Sequence, residues 1–228
     1  MIAWLTLNAG LWLSGYLLGS IPTGYLVGKL LKGIDLRQEG SGSTGATNVL
    51  RTIGKGPAIA VLLVDILKGA AAIALVRAVY GWEAIAPFVP PTADTELWLP
   101  WMTTIAAFAA LIGHSKSVWL GFQGGKAVAS SLGVLLAMSW PVGLGTLGVF
   151  AVFVAISRIV SLSSIAGAIA VSGLMLLFGE PAPYCAFAIV GGLYVIWRHR
   201  SNIERLLAGT EPRIGEKLVA PDSQSQPS

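Results

Sequence analysis

Long apolar segments recur along this chain, and they constrain its fold more than any other feature. A helix needs about 20 mostly apolar residues to cross the hydrocarbon core of a bilayer. Seven candidate spans occur, over residues 4–27, 56–80, 97–112, 126–138, 142–157, 162–178 and 183–197. Only 11% of the residues are charged, against about 25% in ordinary soluble domains. The sequence therefore predicts an all-α integral membrane protein with seven transmembrane helices, and it excludes a soluble or disordered chain.

Basic residues alternate between the segments that connect these spans. Thirteen of the fifteen Lys and Arg residues lie in the first, third and fifth connections and in the C-terminal tail. The second connection, over residues 81–96, carries acidic residues and no basic one. Because basic loops remain in the cytoplasm, we expect an external N-terminus and a cytoplasmic C-terminus in a multi-pass protein of the cell inner (plasma) membrane.

The charge and the tail bear on domains and partners. In a soluble protein a net charge of +4 would suggest a nucleic acid partner, but here it reflects the basic loops, so the predicted partner is the lipid bilayer and not nucleic acid. We expect a single membrane domain over residues 1–217. The polar, Pro- and Ser-rich tail over residues 218–228 is typical of disorder.

The first motif with chemical potential is GSGSTGATNVLR, over residues 40–51. It contains a formal dinucleotide-binding fingerprint, but the buried strand that must precede that fingerprint is missing. Glycines let the backbone approach an anion, and exposed N–H groups with Ser and Thr hydroxyls donate to phosphate oxygens. Arg51 can add a bidentate contact. The alternative interpretation is a flexible re-entrant loop.

The second motif places Gly124, Gly125 and Lys126 at the start of the fourth predicted span. The beginning of a helix offers free N–H groups and the positive end of the helix dipole to an anion. It is not a nucleotide-hydrolysing Walker A loop, since Leu120 stands where glycine is needed and Ala127 where Ser or Thr is needed. The alternative for Lys126 is a lysine that extends its ammonium to the membrane surface.

Three further groups are open to two interpretations. His114 is either a base or a structural hydrogen-bonding residue, and no acid follows it four residues later as in one familiar acyltransferase signature. His199 and Asn202 share one helix face if the last helix continues through them. Asp65 and Lys68 lie in the middle of the second predicted span. Such residues are functional candidates by default, although we favour a structural pair.

The polar, glycine-rich segments all lie on the predicted cytoplasmic side. That arrangement favours an enzyme whose water-soluble reactant meets a lipid-soluble one. A non-enzymatic transporter of phosphate or another anion is the alternative; internal inverted repeats would support it, and none is convincing. A structural membrane subunit is a third possibility. The sequence contains no nucleophile constellation, cofactor motif or metal-ligand cluster, so we predict no cofactor or metal and a direct reaction between two substrates.

Taken together, the motifs resemble one family. The matching residues are Gly40–Arg51, Gly113-His114 through Gly124-Gly125-Lys126 to Ala129, Val160-Ser161 with Ser164, and Arg198-His199-Arg200 with Asn202, Arg205 and Gly209. Over roughly residues 17–217, the chain resembles the PlsY-type membrane acyl-phosphate:glycerol-3-phosphate acyltransferases. The resemblance implies acyl transfer from acyl phosphate, and not from acyl-CoA, to the 1-position of glycerol 3-phosphate. This is the first acylation step of phospholipid synthesis, giving lysophosphatidic acid and phosphate. It also implies a functional link to the enzyme that produces acyl phosphate.

The resemblance also implies roles for residues. Ser41, Arg51 and Lys126 would hold phosphate groups, Ser161 would line the site, and Gly124 with Gly125 would give backbone donors to the acyl phosphate. His199 and Asn202 would lie near the attacking hydroxyl as the catalytic residues. The predicted substrate-binding set is completed by Gly42, Ser43, Thr47, Asn48 and His114.

Three positions depart from the family pattern. Ser43 stands where the family usually has Asn, Ser117 where it has Pro, and Gln123 where it often has Lys. Gln123 removes a positive charge, so we expect these departures to affect substrate affinity more than the class of reaction.

Overall fold

The computed structural model describes residues 1–216, and within them the chain forms ten α-helices with no extended strand. The helices are α1 (Ile2–Ser20), α2 (Thr23–Lys32), α3 (Ala46–Thr52), α4 (Lys55–Tyr80), α5 (Thr95–Ser115), α6 (Val128–Met138), α7 (Trp140–Ser157), α8 (Val160–Leu177), α9 (Ala182–Arg198) and α10 (Arg200–Leu207). The tail expected to be disordered, residues 218–228, lies outside the described residues.

Five helical segments of the described chain are long and apolar enough to cross a membrane. They are Ile2–Lys32, which joins α1 and α2, and the helices α4, α5, α7 and α8. The helices α6 and α9 are apolar but shorter. All seven segments overlap the spans that the sequence predicts, so the all-helical class of membrane protein is confirmed.

The helical hydrogen bonding is interrupted between α1 and α2, and a lysine of α4 bonds to the backbone at that point. Pro22 has no N–H to continue the helical hydrogen bonding. The carbonyl of Ile21 instead accepts hydrogen bonds from the N–H of Thr23 at 3.0 Å and from Nζ of Lys68 at 2.9 Å. Lys68 also pairs with Asp65, with 2.8 Å between Nζ and Oδ1. The two buried charges of α4 therefore form an ion pair that is also bonded to the first segment, and Asp65 lines the same cavity as the predicted site residues.

The helices α4 and α6 pack closely because glycines face each other's backbones. A Cβ on Gly69 would collide with the backbone of Ser130, and one on Gly133 would collide with the carbonyl of Ile66. Small residues permit this close approach between membrane helices. It places the start of α6 directly beside the middle of α4.

The helix α6 begins later than the sequence predicts. Ala127 has the left-handed backbone conformation, with φ of 63°, and the helix starts at Val128. The predicted span 126–138 implies that Lys126 lies in the first turn of this helix. In the structure Lys126 lies in the loop before α6.

After α10 the chain folds back over one end of the helix bundle. Residues 210–216, here called the C-terminal strap, are fastened to the turn between α7 and α8. The N–H of Ile214 donates to the carbonyl of Arg158 at 2.8 Å, and the Arg158 guanidinium donates to the carbonyl of Ile214 at 3.1 Å.

Candidate active site

The first glycine loop is folded around the side chain of Asn48. Its amide nitrogen donates to the carbonyls of Leu36, Glu39 and Ser43 at 3.2, 2.9 and 2.9 Å. Its Oδ1 accepts from the N–H of Ser41 at 3.0 Å. Since these bonds use both ends of the amide, Asn48 organises the loop itself.

The helix α3 presents two predicted phosphate-binding residues from this loop. Thr47 and Arg51 are four residues apart, so they lie on the same face of the helix, and both line the main cavity. The Arg51 guanidinium also donates to the carbonyl of Pro212 in the C-terminal strap at 3.5 Å. Burial lowers the pKa of Arg51, but a guanidinium remains charged in proteins.

The second loop is held between a histidine and an arginine. The N–H of Gly125 donates to the carbonyl of His114 at 3.2 Å, and a Cβ on Gly125 would collide with the imidazole. The Arg198 guanidinium donates to the carbonyls of Gly124 and Gly125 at 3.2 and 2.8 Å. The Gly125 N–H, expected to face the acyl phosphate, is therefore engaged within the protein.

The His114 side chain is buried below this loop. Its Nδ1 lies 3.1 Å from Oγ of Ser130 and 3.7 Å from Oδ1 of Asp65. The carbonyl and the ring of His114 both contact Gly125. His114 therefore has a structural contact, and it also lines the cavity.

A chain of hydrogen bonds joins Lys126 to the C-terminal strap. Lys126 donates to Oδ1 of Asn202, and the Asn202 amide nitrogen donates to Oε1 of Glu211 at 2.6 Å. The same oxygen accepts from Oγ of Ser161 at 2.8 Å, while Oε2 accepts from Nε of Arg205 at 2.7 Å. The segments around residues 161 and 202 thus meet at one carboxylate, and Lys126 is joined to them through Asn202.

The charge on Lys126 is sensitive to this environment. Burial lowers the pKa of Lys126 to about 8, the Glu211 carboxylate opposes this change, and nearby arginines reinforce it. The pKa of the Lys126 ammonium therefore lies only a little above neutral pH, and burial removes much of its hydration. A desolvated cation interacts strongly with an anion that enters the same space.

His199 is neutral at physiological pH. Its Nδ1 lies 2.7 Å from the carbonyl of Val195, which can only accept a hydrogen bond, so Nδ1 carries the hydrogen and Nε2 is the acceptor. Burial lowers the pKa of His199 to about 4, and the nearby Lys126 adds to this change. His199 lies at the junction of α9 and α10, and it lines the cavity together with Asn202 one turn later.

Most of the predicted site residues meet in one cavity of about 810 Å³. The cavity wall contains Ser41, Ser43, Thr47, Asn48, Arg51, His114, Lys126, Ser161, His199 and Asn202. The predicted residues Gly42, Gly124 and Gly125 are not part of this wall. Ser41 and Ser43 line it from a loop in which the Ser43 hydroxyl accepts from the N–H of Gly45 at 3.4 Å.

The same cavity continues between the helices as an apolar groove. Its wall there includes Leu62 and Ile66 of α4, Leu135 of α6, Phe150 of α7 and Phe187 of α9. One continuous space therefore offers cationic and hydrogen-bonding groups at one end and aliphatic and aromatic side chains at the other. Among residues 1–216 no three His, Cys, Asp or Glu side chains gather as a metal site would require.

Glu211 is the site residue that sequence reasoning missed. It lies in the tail, beside Pro212 and among basic residues, and no spacing relates it to Lys126 or Ser161. Burial would raise the pKa of Glu211, but the hydrogen bonds from its three donors outweigh burial and lower it. The carboxylate is therefore charged at neutral pH.

The departures from the family pattern have identifiable contacts. The hydroxyl of Ser117 donates to the carbonyl of Ser20 at 2.6 Å, and the φ of Ser117 is −66°, a value that proline would also adopt. Gln123 is exposed and does not line the main cavity.

Comparisons with known proteins agree on one family. The family model described as glycerol-3-phosphate acyltransferase matches residues 9–209. A protein of that name from Nostoc sp. is 64% identical over 222 residues, which cover 97% of this chain and 98% of the relative. Another, from Trichodesmium erythraeum, is 60% identical over 220 residues, which cover 96% of each chain.

Two solved structures share the fold. One is the crystal structure of PlsY, an integral membrane glycerol 3-phosphate acyltransferase, in its glycerol 3-phosphate form. It is 38% identical with a TM-score of 0.79, covering 91% of this chain and 96% of that one. The lysophosphatidic acid form is 36% identical with a TM-score of 0.75, covering 90% and 94%.

Proposed function

This chain belongs to the glycerol-3-phosphate acyltransferase family, and on that premise we propose that it transfers an acyl group from acyl phosphate to the 1-hydroxyl of glycerol 3-phosphate. The products are lysophosphatidic acid and inorganic phosphate. The observation that carries the proposal is the single cavity in which a cationic, hydrogen-bonding end continues into an apolar groove.

The two ends of the cavity suit the two parts of an acyl phosphate. The apolar groove accepts the acyl chain, and Lys126 with Arg51 faces the phosphate. Glycerol 3-phosphate shares this polar end, where its own phosphate needs the same kind of cation. The reaction requires that the two phosphate-bearing substrates be held side by side. Catalysis of this kind depends mainly on proximity and orientation.

The reaction needs no covalent enzyme intermediate. An acyl phosphate is a mixed anhydride and is already activated. The glycerol oxygen bonds to the acyl carbon and gives up its hydroxyl proton, and the bond from the acyl carbon to the phosphate oxygen breaks. The phosphate leaves with the electron pair of that bond and takes up the proton. Preorganised cations and hydrogen-bond donors stabilise the negative charge that develops on the leaving group. Lys126 and Arg51 are two positively charged residues that line this cavity, and we assign them this stabilising role.

His199 and Asn202 orient the attacking hydroxyl in this proposal. Nε2 of neutral His199 is the ring nitrogen left to accept a hydrogen bond from the 1-hydroxyl, because Nδ1 is engaged with Val195. Ser41, Ser43 and Thr47, which line the same cavity, supply hydroxyl donors to phosphate oxygens.

We also propose that seven helices cross the inner membrane, with the N-terminus outside and the active site at the cytoplasmic face. The alternating basic connections support this orientation. Glycerol 3-phosphate then enters from the cytoplasm, and an enzyme that produces acyl phosphate supplies the donor from the same side.

The donor decides the proposal experimentally. Purified protein in lipid is incubated with glycerol 3-phosphate and either acyl phosphate or acyl-CoA of the same chain length, and released phosphate and lysophosphatidic acid are quantified. We expect turnover with acyl phosphate and none with acyl-CoA, since the site presents short phosphate-binding elements and no His-x4-Asp pair. Robust activity on acyl-CoA would contradict the proposed donor.

A further inference from the structure

The apolar groove ends inside the helix bundle. The wall residues farthest from the polar end are Leu135 of α6, Val171 of α8 and Phe187 of α9, here called the groove floor. All three are buried, with 4, 5 and 3% of the residue exposed. One helical turn further on, Met138 and Met175 pack in the apolar core of the described chain. Side chains of the bundle itself therefore close the groove at its floor.

Nearer the polar end, the groove is open at the side. Ile59 and Leu62 of α4 and Leu147 of α7 all line it, yet they are 57, 41 and 39% exposed. A lipid chain can therefore reach the groove where α4 and α7 face the bilayer. The floor differs from this opening because it is enclosed on every helix that contributes to it.

The distance from the polar end to the floor limits the length of an extended acyl chain. From His199 to Phe187 the chain of α9 rises about 18 Å, and from Ser161 to Val171 α8 rises about 15 Å. An extended hydrocarbon advances about 1.25 Å per carbon, since C–C bonds of about 1.5 Å meet at tetrahedral angles. The groove therefore holds about 12 to 14 carbons before the chain meets the floor.

The Phe187 ring is fixed at the floor by its neighbours. It packs against Phe108 of α5, with 5.2 Å between the ring centroids and 57° between the ring planes. Gly191, one turn nearer the polar end, also lines the groove. A Cβ on Gly191 would lie 3.6 Å from the Phe187 ring and 3.7 Å from the Leu111 side chain. The glycine therefore leaves space directly beside the ring.

We propose that Phe187, with the space left by Gly191, determines which acyl-chain length the protein selects. The inference rests on the proposed function, because it assigns chain-length specificity to the groove of the same site. A chain whose end reaches the ring packs against the floor. A shorter chain leaves the space unfilled, and a longer one has to bend back toward the side opening. Unfilled space and overpacking both cost free energy in closely packed interiors.

The test changes the depth of the groove in both directions. Phe187→Ala removes the ring and deepens the groove. Gly191→Leu fills the space beside the ring and shortens the groove. Gly191→Ala adds only a Cβ at ordinary van der Waals distance from its neighbours, so it shortens the groove slightly and keeps the packing. Leu193→Ala is the matched control, because Leu193 lies on the same helix, is 62% exposed and lies outside the cavity wall.

Two measurements are made on the purified full-length chain in lipid. The first is kcat/KM for a series of saturated acyl phosphates that extends to chains both shorter and longer than the groove, at saturating glycerol 3-phosphate. The ratio of variant to wild type at each length cancels the unequal partition of these chains into lipid. The second is the rise in unfolding temperature caused by lysophosphatidic acids of the same lengths, which needs no turnover.

We expect Phe187→Ala to move the chain length of highest kcat/KM upward by about two to four carbons, the length that an aromatic ring displaces. For chains longer than the wild-type optimum, the ratio of variant to wild type should exceed the ratio at the optimum about tenfold, the usual scale for one methylene in an apolar pocket. Gly191→Leu should move the optimum to shorter chains, and Gly191→Ala should move it less in the same direction. Leu193→Ala should keep the wild-type profile.

The shape of the profile separates specificity from a structural role. If Phe187 only stabilises the bundle, Phe187→Ala lowers kcat/KM equally at every chain length and leaves the optimum in place, which would reject the proposal. A wild-type profile that is flat with chain length would also reject it, because the chain then leaves the groove sideways between α4 and α7. If Phe187→Ala fails to fold, the Gly191 variants decide, and an optimum unmoved in both would overturn the proposal.

A failure of the proposed function gives a different result. Wild-type protein would then show no turnover with acyl phosphate of any length. In that case the lysophosphatidic acids decide, because the chain length that raises the unfolding temperature most should still increase in Phe187→Ala. An unmoved optimum in this binding series would reject the role of Phe187 whatever reaction the protein catalyses.

Discussion

At the scale of single residues, Lys126 and Arg51 are the two cations that we propose to bind the substrate phosphates. If each makes charge-assisted hydrogen bonds to a substrate phosphate, each contributes roughly 1.5–3 kcal/mol, which corresponds to about 10- to 150-fold. We expect Lys126→Ala and Arg51→Ala each to lower kcat/KM by that order without unfolding the protein. Steady-state kinetics with both substrates checks this, with Lys116→Ala as control, because Lys116 is exposed on the same loop as Lys126.

A conservative replacement tests the geometry at Arg51. Arg51→Lys keeps the charge but cannot reproduce the planar, bidentate fork of a guanidinium. It should therefore recover only part of the activity lost in Arg51→Ala. Near-wild-type kinetics in both alanine variants would reject the two cations as the phosphate site and direct attention to Arg158, Arg198 and Arg200.

The pKa of Lys126 predicts the alkaline limit of activity. Burial lowers this pKa to about 8, so the ammonium is fully present below that pH and is lost as the pH rises through it. Since kcat/KM reports the ionisation of the free enzyme, we expect it to fall above about pH 8. The control is activity restored when protein held at pH 9 is returned to pH 7, and a flat profile to pH 10 would be inconsistent with the prediction.

At the scale of elements, the loop between α5 and α6 is positioned by its contact with His114. A Cβ on Gly125 would collide with the imidazole, and the Gly125 N–H donates to the His114 carbonyl. Gly125→Ala should therefore displace Lys126 and lower both kcat/KM and the thermal unfolding temperature, by about 1–3 kcal/mol in stability as overpacking typically costs. Thermal unfolding and kinetics of the same preparation measure both effects.

A matched glycine provides the control for this loop. A Cβ on Gly56, at the start of α4, meets nothing within 4 Å, so Gly56→Ala should leave activity unchanged. The double variant Gly125→Ala/His114→Ala should lose less than the sum of the two single variants, because removing the ring makes room for the Cβ. Strict additivity would show that the glycine and the histidine act independently.

At the scale of the whole molecule, the orientation in the membrane decides which substrate reaches the cavity from which side. With an external N-terminus, the connection over residues 81–96 is outside and the first glycine loop is inside. In a Cys185→Ser background, a membrane-impermeant thiol reagent applied to intact cells should label Asp94→Cys and leave Gln38→Cys unlabelled. Both should be labelled after the cells are lysed, and labelling of Gln38→Cys in intact cells would reverse the orientation.

Much of this protein follows from local sequence. The recurrence of apolar segments predicts the membrane class and the positions of the helices, because hydropathy is a property of each segment by itself. Glycines beside hydroxyls and isolated cations indicate candidate phosphate-binding elements for a similar reason. Ten of the predicted site residues, from Ser41 to Asn202, indeed line one cavity.

Other features depend on which segments meet in three dimensions. Asn48 bonds inside its own loop, the Gly125 N–H bonds to His114, and the helix α6 starts only at Val128. Glu211 joins Ser161, Asn202 and Arg205 although it lies in an unremarkable basic tail. A sequence determines which groups can donate and accept, whereas only packing brings a donor from one segment within hydrogen-bond distance of an acceptor in another. The local sequence therefore determines where helices and loops form, whereas the tertiary structure determines which polar groups bond to each other.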